Sequence, residues 1–297
     1  MRFKNFIIKT SKSIKPWGFY GMSLFDVANF FIKGLVYGSI TTRASSLAFN
    51  FFLAFFPAII VLFTIIPYIP IEGFQLTLIE LIDTVFPAST SEATKIAIEE
   101  IIKKRNSGLL SLGFLLALYF STNGINSLIS AFNASFHINE TRSLLQQFFL
   151  SLILTIILSF VLIITIILII FGKYIINYLI LKGFIEQNIT NLILIAKWGL
   201  IIVMLFTSIS IIFHLGPAMK KRWKIVSAGS VISTCLIITT SLLFSYFINN
   251  FNQYNKIYGS IGTLMIILIW IYFNCIGLLL GFELNASISN AKKKSKE

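Results

Sequence analysis

His137 and His214 are the only histidines in the chain, and they stand in different connections between long apolar runs. A metal-dependent hydrolase gathers imidazoles and carboxylates at ligand spacing, to hold an ion and activate water. Neither histidine has such a partner. Cys235 and Cys275 each lie inside an apolar run, with no Cys-x-x-Cys pair and no disulfide framework. They read as packing residues. No catalytic residue, metal ligand or cofactor-binding motif is expected, and the chain does not read as an enzyme. The polar chemistry it does offer is of another kind: amides and hydroxyls set at helical spacing within apolar sequence.

Tyr119, Asn123, Asn126, Ser130 and Asn133 recur as one stripe of an α-helix. Ser227, Ser230, Thr234, Ser241 and Ser245 form a second, with Ile237 or Ile238 in its gap, and Trp270, Asn274, Gly277, Gly281 and Asn285 a third. Ser46, Asn50, Ala54 and Pro57 make a small and polar side on a further run, ending at a kink site. Gly277 and Gly281 form a GxxxG, which lets a neighbouring backbone approach closely. Serine, threonine and glycine are ordinary packing residues between membrane helices, where each hydrogen bond contributes only ~0.6–2 kcal/mol. Amides are harder to leave unpaired, because their several donors and acceptors cost several kcal/mol in hydrocarbon. Asn50, Tyr119, Asn123, Asn126 and Asn274 are therefore the candidate polar cavity. A wet functional cavity and a structural clamp both fit these residues.

The elements that must position them follow from composition. Hydrophobic residues make up 57% of the 297-residue chain and charged residues 12%, with a mean hydropathy of +0.88. That is about half the charge a soluble domain carries, and several runs reach the ~20 apolar residues that cross a bilayer. The expected fold is all-α, a polytopic membrane helix bundle. Six spans are expected, approximately Ser45–Tyr68, Leu109–Ile129, Phe148–Gly172, Leu192–Phe213, Ile225–Ile248 and Ile261–Phe282. "STNGIN", Ser121–Asn126, then lies in a continuing helix whose polar face runs on through "SLISAFNASF" toward Arg142. Residues 1–43 read as a basic tail and an amphipathic interfacial helix over Ser23–Arg43, interrupted by Asp26 and Lys33. A membrane-embedded elbow is the alternative for that segment. Residues 44–288 form the membrane domain, and 289–297 a second basic tail. The loop 70–107 holds six of the eleven acids, and "STSEATKIAIEEIIKKR" within it has the charge order of a helix, acid first and base last.

The formal charge of +13 is distributed as a topology signal. With both termini placed in the cytoplasm, 16 Lys and Arg residues fall on that side and seven outside, and Lys197 can snorkel from a span end. The expected orientation is N-in, C-in. Arg43, Arg142, Lys220, Lys221 and Arg222 are candidate cytoplasmic anion contacts, with positive-inside anchoring as the plainer reading. No cleavable signal peptide is read at the start, where "MRFKNFIIKTSKSIK" lacks an apolar core.

Four blocks resemble the YihY/BrkB family: "RASSLAFNFFLAFFPAIIVL", "STNGINSLISAFNASFHINETRS", "HLGPAMKKRWKIVSAGSVIST" and "NNFNQYNKIYGSIGTLMIILIWIYFNCIGLLLGFELNASI". The last is the most specific, through Tyr254, Asn255, Tyr258, Gly259 and Gly262, then Trp270, then Gly281, Glu283 and Asn285. The resemblance covers about Val36 to Ile288 and implies a bacterial inner-membrane protein of six helices. Members also carry the names ribonuclease BN-like and virulence factor, and suggested roles touch the cell envelope and lipid or solute transport. Ribonuclease chemistry is not expected, for want of clustered ligands: only Asp26, Glu140, Glu283 and Glu297 share the predicted cytoplasmic side with the histidines. The leading expectation is translocation of a lipid or other anionic, amphipathic envelope solute; the alternative is a structural or scaffolding membrane protein. Expected partners are membrane lipids and that solute. No nucleic acid is expected, and a homo-oligomer is left open.

Overall fold

A computed structural model describes residues 16, 18–19, 21–65, 68, 107–135, 141–182, 190–218, 225–250 and 260–294. The described residues form seven α-helices: α1 Leu24–Tyr37, α2 Ile40–Ile65, α3 Ser107–Asn133, α4 Leu144–Leu181, α5 Thr190–Leu215, α6 Ala228–Asn250 and α7 Ser260–Lys294. Helices α2 to α7 are the six long and apolar enough to cross a membrane. They coincide with the six expected spans, and most extend a turn or more beyond the expected bounds. The helix expected within loop 70–107 lies outside the described residues, as do Lys220, Lys221, Arg222, Tyr254, Asn255, Tyr258 and Gly259.

Local chemistry sets the helix ends. Ser23 caps α1 in an extended conformation. Its hydroxyl accepts from the Asp26 N–H at 3.1 Å and donates to the Asp26 carboxylate at 2.6 Å, which places an acid at the positive end of the helix dipole. The chain then turns at Gly38–Ser39. Gly38 N–H donates to Gly34 O at 2.9 Å, and Ser39 takes a left-handed φ of 44° before α2 begins. Any side chain at Gly38 would collide with the Gly34 carbonyl and crowd Arg43 Nη2. The single amphipathic helix expected over Ser23–Arg43 is thus two helices, and Arg43 belongs to the first turns of α2. Helix α3 carries Ser121–Asn126 without a break but stops at Asn133 instead of running on toward Arg142. Ala134 N–H donates to Ser130 O and Ser135 N–H to Phe132 O, closing the turn.

The chain divides into two compact units, Met1–Phe49 with Ile125–Glu297, and Asn50–Gly124. Within the second, α3 lies against α2 through small residues: a Cβ on Gly124 would stand 3.0 Å from the Phe51 ring, and one on Gly113 3.0 Å from Ile60. Pro57 sits inside α2. In the first unit α7 is central, packing against both α6 and α1, while α5 packs against α4 and α6. Phe19, Val27, Ala228, Leu284, Ile288 and Ala291 make one apolar cluster that seats α1 on the C-terminal part of α7. Phe132 stacks on Phe282 with centroids 4.2 Å apart, and Phe213 meets both rings edge-on. So α3, α5 and α7 converge on one aromatic knot.

Candidate functional site

Residues 281–288 of α7 are all buried, Glu283, Asn285 and Ser287 among them. Glu283 is fully enclosed. Its Oε1 accepts from Arg43 Nη2 at 2.6 Å, and its Oε2 accepts from Ser135 Oγ at 3.0 Å. Arg43 is 9% exposed and also donates from Nη1 to the Ala131 carbonyl at 2.7 Å. That carbonyl belongs to the last turn of α3, where backbone acceptors are left over and the dipole favours a cation. One ion pair therefore ties the start of α2, the end of α3 and the interior of α7. Such a pair needs excellent geometry to offset the loss of water around both charges. Arg43 Nε is buried and, among the described residues, has no hydrogen-bond partner.

Next to it, α6 and α7 cross at near backbone contact. A Cβ on Gly281 would collide with Ser233 Oγ and the Gly229 carbonyl, and one on Gly229 with the Gly281 carbonyl. Ser233 Oγ donates to Gly277 O at 3.0 Å. Asn285 fills the end of the crossing: its Oδ1 accepts from Gly229 N–H at 2.8 Å and its Nδ2 donates to Ser227 Oγ at 2.8 Å. Of the hydroxyl stripe of the fifth span, Ser227 meets the glycine–amide stripe of the sixth, while Ser230 and Thr234 bond within their own segment. Further along, Trp270 Nε1 donates to Ser241 Oγ at 3.3 Å.

Helices α3 and α4 are joined by amides. Gln147 Nε2 donates to Asn126 Oδ1 at 2.9 Å and to Ser130 Oγ at 2.6 Å, and Ser151 Oγ reaches the same Asn126 oxygen at 3.3 Å. Asn133 Oδ1 accepts from Ala218 N–H at 2.9 Å, and Arg142 Nη1 donates to Gly216 O at 2.9 Å, so the turn after α5 is held from two sides.

Of the candidate cavity residues, Asn126 is thus committed to its neighbours on α4. Asn274 donates back to Trp270 O at 2.7 Å, and its buried Oδ1 is without a partner among the described residues. Asn50, Tyr119 and Asn123 lie in the other unit, where Asn123 is half-buried and Tyr119 is 56% exposed. Of the candidate anion contacts, Arg43 holds Glu283 and Arg142 holds Gly216. Gly262 is buried near the start of α7. Sequence reasoning missed Gln147, Gly229 and Ser233. Gly229-x-x-x-Ser233 repeats the small-x-x-x-small spacing of Gly277 and Gly281, a signal that could have found two of the three.

Six helices of membrane-crossing length, with α2–α3 and α6–α7 approaching through small residues, define a multi-pass membrane protein of the helical class. The family model described as Virulence factor BrkB matches residues 31–297, and the chain belongs to this BrkB/YihY family. It is 30% identical over 254 residues to the ribonuclease-like protein YfkH of Bacillus subtilis, covering 85% of this chain and 91% of that one. It is 26% identical over 117 residues to a UPF0761 membrane protein of Idiomarina loihiensis, covering 39% and 41% of the two chains. A UPF0761 membrane protein of Pseudoalteromonas translucida is 35% identical over 78 residues, 26% of each chain. No solved structure gives a significant match.

Proposed function

We propose that this protein translocates an amphipathic, anionic envelope molecule, a lipid or lipid-like solute, across a bacterial inner membrane, without covalent chemistry. The observation that carries the reading is the Arg43–Glu283 pair, buried in helices of membrane-crossing length. Ionisable residues buried within membrane helices are costly and most often serve a pathway. The ribonuclease-like name belongs to the Bacillus subtilis relative; the reading here takes its support from Glu283, which is held by an arginine. The basic side is cytoplasmic in this reading, with 16 Lys and Arg against seven outside.

Reconstituted protein should give substrate-dependent flux across proteoliposomes when presented with a panel of labelled anionic lipids and small anions. Absence of flux with every member, from protein shown to be folded and oriented, would sink the reading. Orientation has its own test. After Cys235 and Cys275 are replaced, Ser295→Cys should resist an impermeant thiol reagent in intact spheroplasts, and labelling would reverse the topology. A second reading, a non-transporting scaffold, is favoured by one observation: the amides of Asn126 and Asn285 are filled by neighbouring helices, as packing clamps would be.

A further inference from the structure

Arg43 and Glu283 meet asymmetrically. A guanidinium presents two parallel N–H donors along one edge, from Nε and Nη2, which carboxylates and phosphates ordinarily take together. Here Nη2 donates to Glu283 Oε1, but Oε2 of the same carboxylate turns away to Ser135 Oγ. Nε, the other tooth of the fork, is buried and has no partner among the described residues. The edge is half filled. Meanwhile Nη1 anchors the guanidinium to Ala131 O, so Arg43 is held in place whether or not Glu283 stays.

We propose that the Nε–Nη2 edge of Arg43 is the binding site for the anionic group of the transported molecule, a phosphate or carboxylate, and that Glu283 is an internal anion which that group displaces. The inference rests on the translocation reading above and names its substrate-binding group. An incoming oxyanion satisfies both Nε and Nη2, where Glu283 satisfies one. Glu283 keeps the Ser135 hydroxyl but loses its cation, and an unpaired buried carboxylate is strongly disfavoured.

The other charged or titratable groups on the elements packed against α7 do not duplicate this pair. Arg43 is the one charged residue in α2, and α6 carries Cys235 and Tyr246, both exposed, and no charge. Helix α1 brings Asp26, held by Ser23, and an exposed Lys33. Helix α5 brings Lys197, exposed, and His214 in its last turn, and α7 itself ends in exposed Lys292 and Lys293.

The test uses the full chain in lipid nanodiscs at constant ionic strength, reading the thermal midpoint against probe concentration, since a ligand of the folded state raises it. Inorganic sulfate in zwitterionic nanodiscs probes a free anion; a graded fraction of phosphatidylglycerol probes a lipid headgroup. The wild type should respond to one of them. Glu283→Gln should bind at least about tenfold more tightly, a shift of roughly 1.4 kcal/mol. The double variant Arg43→Gln/Glu283→Gln, which leaves no lone buried charge, should fold and not respond. Should Glu283→Gln unfold without ligand, the responding anion must restore it. A Glu283→Gln protein no more anion-sensitive than the double variant, or unrescued by either probe, overturns the proposal. Flux that persists alongside that result leaves translocation standing; binding without flux does the reverse.

Discussion

The most apolar helix of this protein is among its least buried, and the best-buried stretch is one of its more polar. Along α4, Phe160, Leu162, Ile163, Ile164, Ile166, Ile167 and Leu168 are all exposed. Along α7, residues 281–288 are buried without interruption and include a glutamate, an asparagine and a serine. In water the hydrophobic effect would arrange these the other way round. In a bilayer, lipid tails serve isoleucine as well as a protein interior does, so burial selects what lipid serves badly: backbone brought close through glycine, and polar groups needing partners. The C-terminal half of α7 is therefore the organising element, and the exposed stretch of α4 is expected to face lipid.

The comparison predicts that single changes in the buried stretch outweigh any on the exposed one. Glu283→Leu leaves Arg43 buried and uncompensated and should cost about 3–5 kcal/mol, while Arg43→Met/Glu283→Leu together should recover most of that loss. Folded yield by detergent size-exclusion, with melting of the recovered fraction, measures both. A double variant as damaged as the single would mean that the pair is not the source of the loss. Gly281→Val comes next. Its side chain must enter space held by the Gly229 carbonyl and Ser233, so the α6–α7 crossing has to open, at about 1–3 kcal/mol or more. Crosslinking between cysteines placed on the two helices should weaken in that variant and remain unchanged in Gly199→Val, where an added Cβ meets nothing within 4 Å.

How much of this was legible beforehand depended on which residues carried the signal. The six spans follow from length and apolarity alone, since a bilayer imposes both. The glycine–amide stripe of α7 was visible because glycine and asparagine at helical spacing have few other uses in a span, whereas Gly229 and Ser233, which meet it, fell outside the hydroxyl stripe read for α6. The partner of Asn126 was not. Gln147 lies near the start of α4, where an amide reads as an interfacial residue, and nothing in one sequence says which helix an asparagine faces. Arg43 was named as a candidate anion contact, but its place in α2 and its partner Glu283 were not read. Counted with the basic tail, it looked like a topology charge, because the break at Gly38–Ser39 that moves it into α2 is a local steric event with a weak sequence mark. Glu283 likewise read as a residue at a helix end, and only the packing of α1, α2 and α3 around α7 makes that end an interior.

The amide clamp between α3 and α4 should rank below the ion pair and the crossing. Asn126→Leu removes the acceptor of Gln147 and Ser151, yet Gln147 keeps Ser130 and Ser151 keeps its bond to Gln147 O. The expected loss is about 1 kcal/mol, typical of interhelical hydrogen bonds in membranes. A double-mutant cycle with Gln147→Leu should return a coupling of the same order. Coupling near zero would mean that the two amides do not meet in the membrane, and would return Asn126 to the list of groups facing a cavity.

The smallest effect is expected where the sequence is most hydrophobic. Ile163 on α4 is 49% exposed and Ile167 46%. In a soluble core, Ile→Ala would cost about 2–5 kcal/mol through lost transfer energy and a cavity. Here neither term applies in full, because lipid chains fill the space the side chain leaves and the unfolded helix within the bilayer already has the same apolar surroundings. Ile163→Ala and Ile167→Ala should therefore each shift stability by less than about 0.5 kcal/mol, read from melts in nanodiscs instead of detergent. A loss comparable to Gly281→Val would show that this face is covered by protein in the membrane, by a second copy of the chain or another partner. The contrast between α4 and α7 would then be one between two interfaces, one of them unseen, and no longer one between interior and lipid.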